Sequence, residues 1–117
     1  MNAALIGGGG IGRHVVEHLA PGEPARITAI VERPAAIPAL RSHIPPRITI
    51  VSSVAELPAP APDIVVECAG HAGLGEHGAA ALERGLDLLV VSVGALADTA
   101  LYDRLKQAAV KGGAKML

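Results

Sequence analysis

The stretch LIGGGGIGRH, residues 5–14, follows a short apolar run and holds five glycines, four of them consecutive. The spacing G-x-G-x-x-G directly after a strand is typical of a turn that binds the pyrophosphate of a dinucleotide. Only one register fits, with glycines at Gly7, Gly9 and Gly12, because a start at Gly8 would require a glycine where an arginine stands. The stretch therefore predicts a strand, a glycine-rich turn and the start of a helix.

The three glycines of this pattern have different physical roles. The first permits a tight turn, the second lets the backbone approach a pyrophosphate where a Cβ would collide, and the third lets the helix pack closely on the strand. We assign these roles, in order, to Gly7, Gly9 and Gly12. The first N–H groups of the helix, at Gly10 and Ile11, are expected to point at the phosphates.

Two glycines lie outside the pattern, and we expect Gly8 and Gly10 to be tolerated rather than required. A glycine in the first helical turn costs up to about 1 kcal/mol relative to alanine. Gly10→Ala is therefore expected to raise stability and to leave cofactor affinity nearly unchanged, whereas Gly9→Ala is expected to weaken binding.

Apolar runs alternate with helical patterns along the rest of the chain. Strands are predicted at residues 3–7, 27–31, 48–51, 63–70 and 87–94, with the first residues of a sixth strand at 114–117. Helices are predicted from Ile11 to before Pro21, after Ser52-Ser53, from Gly70-His71 to Gly85, and from the cap Asp98 to Gly112-Gly113, with a partly helical connection over residues 34–46.

This alternation predicts an α/β fold of the Rossmann type. We expect a doubly wound parallel sheet in three α/β/α layers, with strand order 3-2-1-4-5-6 and the sixth strand truncated. A length of 117 residues fits one NAD(P)-binding domain over residues 1–117, without a separate substrate or catalytic domain.

Charge and composition exclude several classes of partner. Ten basic and eleven acidic residues give a net charge of −1, so we expect no nucleic-acid partner and no attraction to anionic membranes. No apolar run approaches the roughly 20 residues that span a bilayer, and we expect a cytoplasmic protein. The single cysteine, Cys68, excludes an internal disulfide and is expected to be a buried small hydrophobe.

Glu32 and Arg33 are expected to decide the cofactor. Glu32 stands 20 positions after Gly12, at the end of the second strand, where a carboxylate accepts hydrogen bonds from the adenosine ribose and repels a 2′-phosphate. Arg33 could instead meet that phosphate. We expect NAD as cofactor, with NADP possible; the alternative is that both residues are only a solvated strand end.

A second glycine-rich stretch, ECAGHAGLGEHG at residues 67–78, follows the fourth strand. Its place at the switch point of the sheet makes Ala69, Gly70 and His71 candidate neighbours of the nicotinamide half of a dinucleotide, although His71 could also cap a helix. The spacing of six between His71 and His77 does not stack them on one helical face, so no metal site is expected.

The loop after the fifth strand lies at the same edge of the sheet. Ser92, Val93 and Gly94 are expected to line the cleft, while Asp98 is expected to cap a helix.

Three stretches together resemble the amino-terminal domain of L-aspartate dehydrogenase: IGGGGIGR at 6–13, VVECAGHAGLGEHG at 65–78 and DLLVVSVGALAD at 87–98. The resemblance implies NAD(P)-dependent oxidation of L-aspartate to iminoaspartate, a reaction that can feed NAD biosynthesis. The implied cofactor-cleft positions are Gly7, Gly9, Gly12, Glu32, Ala69 to His71, and Ser92 to Gly94.

The resemblance also implies that the family's catalytic residues have no matching positions here. The family continues into a P-x-G-A-I-G-type loop and an α+β domain with the substrate contacts and a catalytic histidine. We therefore assign no catalytic residue, do not transfer that role to His71 or His77, and expect L-aspartate to be a partner of the complete enzyme only.

Two alternatives remain. The chain could be a stand-alone dinucleotide-binding or interaction module without chemistry. It could also belong to a related enzyme, of the homoserine dehydrogenase or dihydrodipicolinate reductase type, although VVSVGALAD argues against this. Whether the chain is part of a dehydrogenase or a stand-alone module, the apolar LLVVSV strand beside an incomplete sixth strand predicts a homo-oligomer formed through exposed apolar surface.

Overall fold

A computed structural model of the chain describes residues 1–10, 14 and 26–117. Most of the helix predicted from Ile11, together with the predicted site residues Ile11 and Gly12, lies outside the described residues.

The described strands form one parallel sheet. They are β1 (Asn2–Ile6), β2 (Arg26–Val31), β3 (Thr49–Val51), β4 (Ile64–Glu67) and β5 (Asp87–Val90), in the order β3-β2-β1-β4-β5. Every pair of neighbours is parallel. The predicted Rossmann-type doubly wound sheet is therefore confirmed. The chain crosses from one half of the sheet to the other between β3 and β4, and the two halves meet where β1 lies beside β4.

Side chains of β1 explain why both faces of the sheet are covered. Ala4 and Ile6 belong to the core on one face, whereas Ala3 and Leu5 belong to the core on the other. Successive strand residues point to opposite faces, so a strand that is apolar at every position requires a packed layer on each side. The three-layer arrangement follows from this pattern.

The described helices lie on these two faces. They are α1 (Ile37–Arg41), α2 (residues 70–83) and α3 (Thr99–Gly112). Helix α2 is continuous but changes its winding, since the π-helical turn Leu74–Gly78 stands between the α-helical segments Gly70–Gly73 and Ala79–Glu83. Shorter 3₁₀ turns are Pro34–Ala36, Val54–Glu56 and Val93–Ala97. None of the helices among the described residues is long and apolar enough to cross a membrane.

Helix ends follow the predicted signals except at the short turn after β3. The Asp98 side chain accepts a hydrogen bond from the Leu101 N–H at 3.1 Å, and Gly113 ends α3 in the left-handed conformation. Ser53 occupies the predicted cap position, but its hydroxyl donates to the Glu56 carboxylate instead of capping the turn.

Strands β4 and β5 both end earlier than predicted. β4 ends at Glu67 instead of residue 70, and β5 ends at Val90 instead of residue 94. Just beyond the two strands, the N–H groups of residues 69, 70, 91 and 92 donate to the Glu67 side chain. Beyond β5, Met116 forms a parallel bridge with Leu88, in the place predicted for the sixth strand.

Candidate functional site

The carboxyl ends of β1, β2 and β4 surround a cavity of about 390 Å³. This is the switch point of the sheet, where α/β proteins bind their ligands. The cavity is lined by Ile6, Gly7, Gly9, Val31, Glu32, Arg33, Cys68, Ala69, Ala72, Gly73, Glu76 and His77. Five of the predicted site residues are among them: Gly7, Gly9, Glu32, Arg33 and Ala69.

Gly7 makes the tight turn after β1. Its φ of 90° lies in the region that favours glycine, and its N–H donates to the Val31 carbonyl at 2.8 Å. A Cβ on Gly7 would also come within 2.9 Å of Ala69 Cα and Cβ. A side chain at this position would therefore strain the backbone and collide with the loop after β4.

Gly9 and Gly10 have no close neighbour among the described residues. A Cβ on either residue would meet no heavy atom of residues 1–10, 14 and 26–117 within 4 Å, and Gly10 is the first helical residue. The exposed Gly9 backbone therefore borders the cavity without contact from the described protein atoms, as a backbone that approaches a ligand requires. The open space at Gly10 agrees with the expectation that an alanine would fit there.

Gly8 has a close packing partner that the sequence did not indicate. Gly8 is buried, and a Cβ there would overlap Cδ2 of Leu40, a buried residue of α1. Helix α1 therefore packs directly on the glycine-rich turn, and an alanine at position 8 would require the end of the Leu40 side chain to move.

Glu32 is held rigidly at the rim of the cavity. Its carboxylate accepts hydrogen bonds from the N–H groups of Gly8 and Arg33, each at 2.8 Å, and the side chain is 14% exposed. The Arg33 side chain is 82% exposed, with Nε 3.9 Å from the Glu32 carboxylate. The carboxylate is thus fixed beside the glycine-rich turn, while the guanidinium extends into solvent.

Glu67, which the sequence analysis did not single out, is the fully buried carboxylate at the end of β4. Its Oε2 accepts hydrogen bonds from the N–H groups of Ala69 and Gly70 and from the Ser92 hydroxyl, at 3.0, 2.9 and 2.7 Å. Its Oε1 accepts from the N–H groups of Val91 and Ser92, at 3.1 and 2.8 Å. Five donors from two loops therefore converge on one side chain.

Three other predicted residues, His71, Val93 and Gly94, are not part of the cavity lining. His71 Nε2 lies 3.2 Å from Asp98 Oδ2, in a neighbouring cleft that Arg104 also lines. The hydrogen bond from the Leu101 N–H, and to a smaller extent the nearby His71, hold the pKa of Asp98 below its ordinary value. Val93 and Gly94 are exposed. These contacts place His71 at the junction of α2 and α3.

Gly70 and Ser92 connect the two loops. The Gly70 N–H donates to the Ser92 hydroxyl at 3.2 Å as well as to Glu67. Gly70 has a φ of 81°, which favours glycine at the start of α2.

Cys68 was expected to be buried, but the structure shows that it is not. The thiol is only half-buried and lines the cavity, because β4 ends one residue earlier and exposes the following turn. Burial raises the pKa of the Cys68 thiol, with a further contribution from the Glu67 charge. The thiol form is therefore favoured over the nucleophilic thiolate.

Sequence reasoning also missed the wall contributed by α2. Ala72, Gly73, Glu76 and His77 line the cavity. A Cβ on Gly73 would overlap the Ala69 side chain, so small residues let α2 approach the loop closely. Within residues 1–10, 14 and 26–117, no three His, Cys, Asp or Glu side chains form a cluster that could hold a metal ion.

The residues present fit a dinucleotide. Gly9 lines the cavity, and Gly10 is the first helical residue, the kind of position at which helix N–H groups can meet phosphate oxygens. On the β2 side, the Glu32 carboxylate offers acceptor oxygens of the kind that bind ribose hydroxyls.

Comparison with known proteins agrees with this geometry. A family described as "Homoserine dehydrogenase, NAD binding domain" matches residues 7–117. The chain belongs to this family. The NAD-binding domain is also 41% identical, over 113 residues, to an L-aspartate dehydrogenase of Ruegeria pomeroyi, covering 97% of the chain and 39% of that protein. The chain thus spans about two fifths of this relative's length.

Solved structures share the fold of the NAD-binding domain. Aspartate dehydrogenase of Thermotoga maritima superposes with a TM-score of 0.70 at 24% identity, over 100% of the chain and 44% of that protein. The WlbA dehydrogenase of Bordetella pertussis, in complex with NADH and UDP-GlcNAcA, gives 0.73 at 19% identity, over 98% and 35%. The resemblance to L-aspartate dehydrogenase is confirmed, although the family description carries the name of homoserine dehydrogenase.

Proposed function

We propose that the NAD-binding domain serves an oxidoreductase that oxidises L-aspartate to iminoaspartate with NAD, a reaction that can feed NAD biosynthesis. The similarity to an L-aspartate dehydrogenase supports the substrate. The observation that carries the cofactor assignment is the Glu32 carboxylate, held at the cavity rim by two backbone N–H groups.

The residues of the domain would bind and orient the dinucleotide. The glycine-rich turn, from Gly7 through Ile11 and Gly12, would bind the pyrophosphate, and Glu32 would accept hydrogen bonds from the adenosine ribose. The loops after β4 and β5 would border the nicotinamide half. The bound cofactor supplies a hydride acceptor for the α-carbon of the amino acid.

No residue of the chain is proposed as catalytic, so acid/base chemistry and contacts to L-aspartate require groups other than those assigned here. The 117-residue protein, incubated with L-aspartate and NAD and monitored by NADH absorbance, is expected to produce no NADH. Steady turnover by the purified chain would contradict this assignment.

NAD is proposed as the preferred cofactor, because a 2′-phosphate would bring negative charge beside the nearly buried Glu32 carboxylate. Calorimetric titration is expected to give an affinity for NAD at least about tenfold higher than for NADP, a difference of about 1.4 kcal/mol. Glu32→Gln should narrow that difference, whereas Glu56→Gln, at an exposed carboxylate outside the cavity, should preserve it. Tighter binding of NADP by the wild type would overturn the preference.

A stand-alone dinucleotide-binding or interaction module is a second candidate, and exposed apolar side chains favour self-association on either reading of the function. Val91, after β5, is 42% exposed, and Val110, on α3, is 84% exposed. We propose a homo-oligomer, in the cytoplasm, formed through one or more of these exposed apolar side chains. Analytical ultracentrifugation should show a species larger than the monomer, and Val110→Ser should weaken it. A monomer at all concentrations would contradict self-association.

A further inference from the structure

We propose that Glu67 is a positioning residue, which holds the loops after β4 and β5 in one arrangement and thereby sets the affinity of the site for the nicotinamide half of a dinucleotide. This inference rests on the proposed dinucleotide site. It concerns a residue that has no direct contact with the cavity, since Glu67 is fully buried and is absent from the cavity lining.

The carboxylate joins two segments that are distant in sequence. Residues 69 and 70 follow β4, residues 91 and 92 follow β5, and all four supply N–H donors to Glu67. A buried carboxylate is stable only when it is well paired, and these N–H groups would in turn lose their partners without it. The two loops are therefore coupled through one side chain.

Hydrogen bonding to Glu67 also explains why α2 begins where it does. The N–H groups of Ala69 and Gly70, at the start of the helix, are bound internally instead of being left for a ligand. A phosphate at this helix end would have to displace a fixed negative charge. This end of the sheet thus favours a group without negative charge, such as the nicotinamide ring, over a second phosphate.

The adenosine half depends on a different set of contacts. Glu32 is held by Gly8 and Arg33, none of which bonds to Glu67. A change at Glu67 is therefore expected to act on the β4–β5 side of the site and to leave the β1–β2 side nearly intact.

Glu67→Gln tests whether Glu67 acts on the β4–β5 side of the site and not on the β1–β2 side. The amide keeps the size of the side chain but turns an acceptor into an NH₂ group that faces N–H donors, so at least one loop must move. Affinities of the 117-residue protein for NADH and for ADP-ribose, which lacks nicotinamide, would be measured by calorimetry. The variant is expected to weaken NADH binding about tenfold or more and ADP-ribose binding less than about twofold.

A second variant is available if Glu67→Gln does not fold. Ser92→Ala removes the hydroxyl that bonds to Glu67 and Gly70. This variant should also lose affinity for NADH more than for ADP-ribose, by a smaller factor than Glu67→Gln. Ser52→Ala removes an exposed hydroxyl that bonds to Glu56, outside the cavity, and serves as the matched control with wild-type affinities.

A purely structural role would lower both affinities equally, through a smaller folded fraction. Equal losses for NADH and ADP-ribose, no loss for either, or wild-type binding of NADH no tighter than of ADP-ribose would each overturn the proposal. Failure of the wild type to bind either ligand would instead overturn the proposed function on which it rests.

Discussion

Individual side chains around the glycine-rich turn have different tasks, although four neighbouring glycines look equivalent in the sequence. Gly7 has the positive φ, Gly8 packs against Leu40, and Gly9 borders the open cavity. Only the second of these roles depends on the adjacent helix α1. Substitutions by alanine should therefore separate folding from binding.

Gly8→Ala is expected to lower the free energy of unfolding by about 1–3 kcal/mol, because the added methyl overlaps a buried leucine and the core must shift to hold it. Gly10→Ala, in open space at the first helical residue, should be neutral or stabilising. Urea unfolding followed by circular dichroism measures both. Equal stabilities of the two variants would show that Leu40 moves aside without cost.

Asp98 should contribute to acid sensitivity. The Leu101 N–H and the nearby His71 lower the pKa of Asp98 below its ordinary value of 3.8. Because the folded pKa lies below the unfolded one, this stabilisation is present at neutral pH and is lost as the pH falls through the folded pKa.

Asp98→Asn keeps a good helix cap but removes the titration. Melting temperatures measured between neutral pH and about pH 3 should fall less for Asp98→Asn than for the wild type. Asp103→Asn, exposed on the same helix, is the control and should keep the wild-type slope. An equally steep fall for Asp98→Asn would contradict the role of this carboxylate.

Helices α2 and α3 pack closely where both end, and glycine makes this possible. A Cβ on Gly112 would overlap the Leu82 carbonyl oxygen and come within 2.9 Å of the Glu83 backbone. Gly113, by contrast, has a φ of 66° but open space around it. The two neighbouring glycines are thus required for different reasons.

Gly112→Ala should cost about 3 kcal/mol or more, since backbone atoms cannot rotate away as a side chain can. Gly113→Ala should cost only about 1–2 kcal/mol, the penalty of a left-handed conformation. Thermal unfolding of both variants measures the difference. A larger loss for Gly113→Ala would contradict the close approach of the helices.

The elements themselves were largely predictable from the sequence. Apolar runs predicted the strands because a parallel sheet covered on both faces must be apolar at successive positions, as β1 is. The ends of β4 and β5 were not predictable, since they depend on long-range hydrogen bonds to Glu67. The winding change at Leu74–Gly78 also has no local signal in the pattern of apolar residues.

The candidate site was predictable on the β1–β2 side only. The distance in sequence from the glycines to Glu32 reflects the length of one strand–helix–strand unit, so that residue could be found. Glu67 interrupts the apolar run DIVVECAG, and this buried charge was the available signal. The contact between Gly8 and Leu40 joins elements that are distant in sequence. It could not be predicted, because such contacts leave no pattern in the local sequence.

The domain as a whole brings the two halves of a parallel sheet together at one cavity. We propose that this cavity binds a dinucleotide through the glycine-rich turn, with Gly9 at the closest approach. Gly9→Ala adds a methyl where nothing in the described protein stands, so it should spare stability and impair binding.

The most direct measurement is calorimetric titration of the folded 117-residue protein with NADH, for the wild type, Gly9→Ala and Gly10→Ala. We expect binding by the wild type, a loss of about tenfold or more for Gly9→Ala, and little change for Gly10→Ala. Melting temperatures measured on the same samples show that all three are folded. Absence of binding by the folded wild type, or equal losses in the two variants, would contradict the assignment of the site.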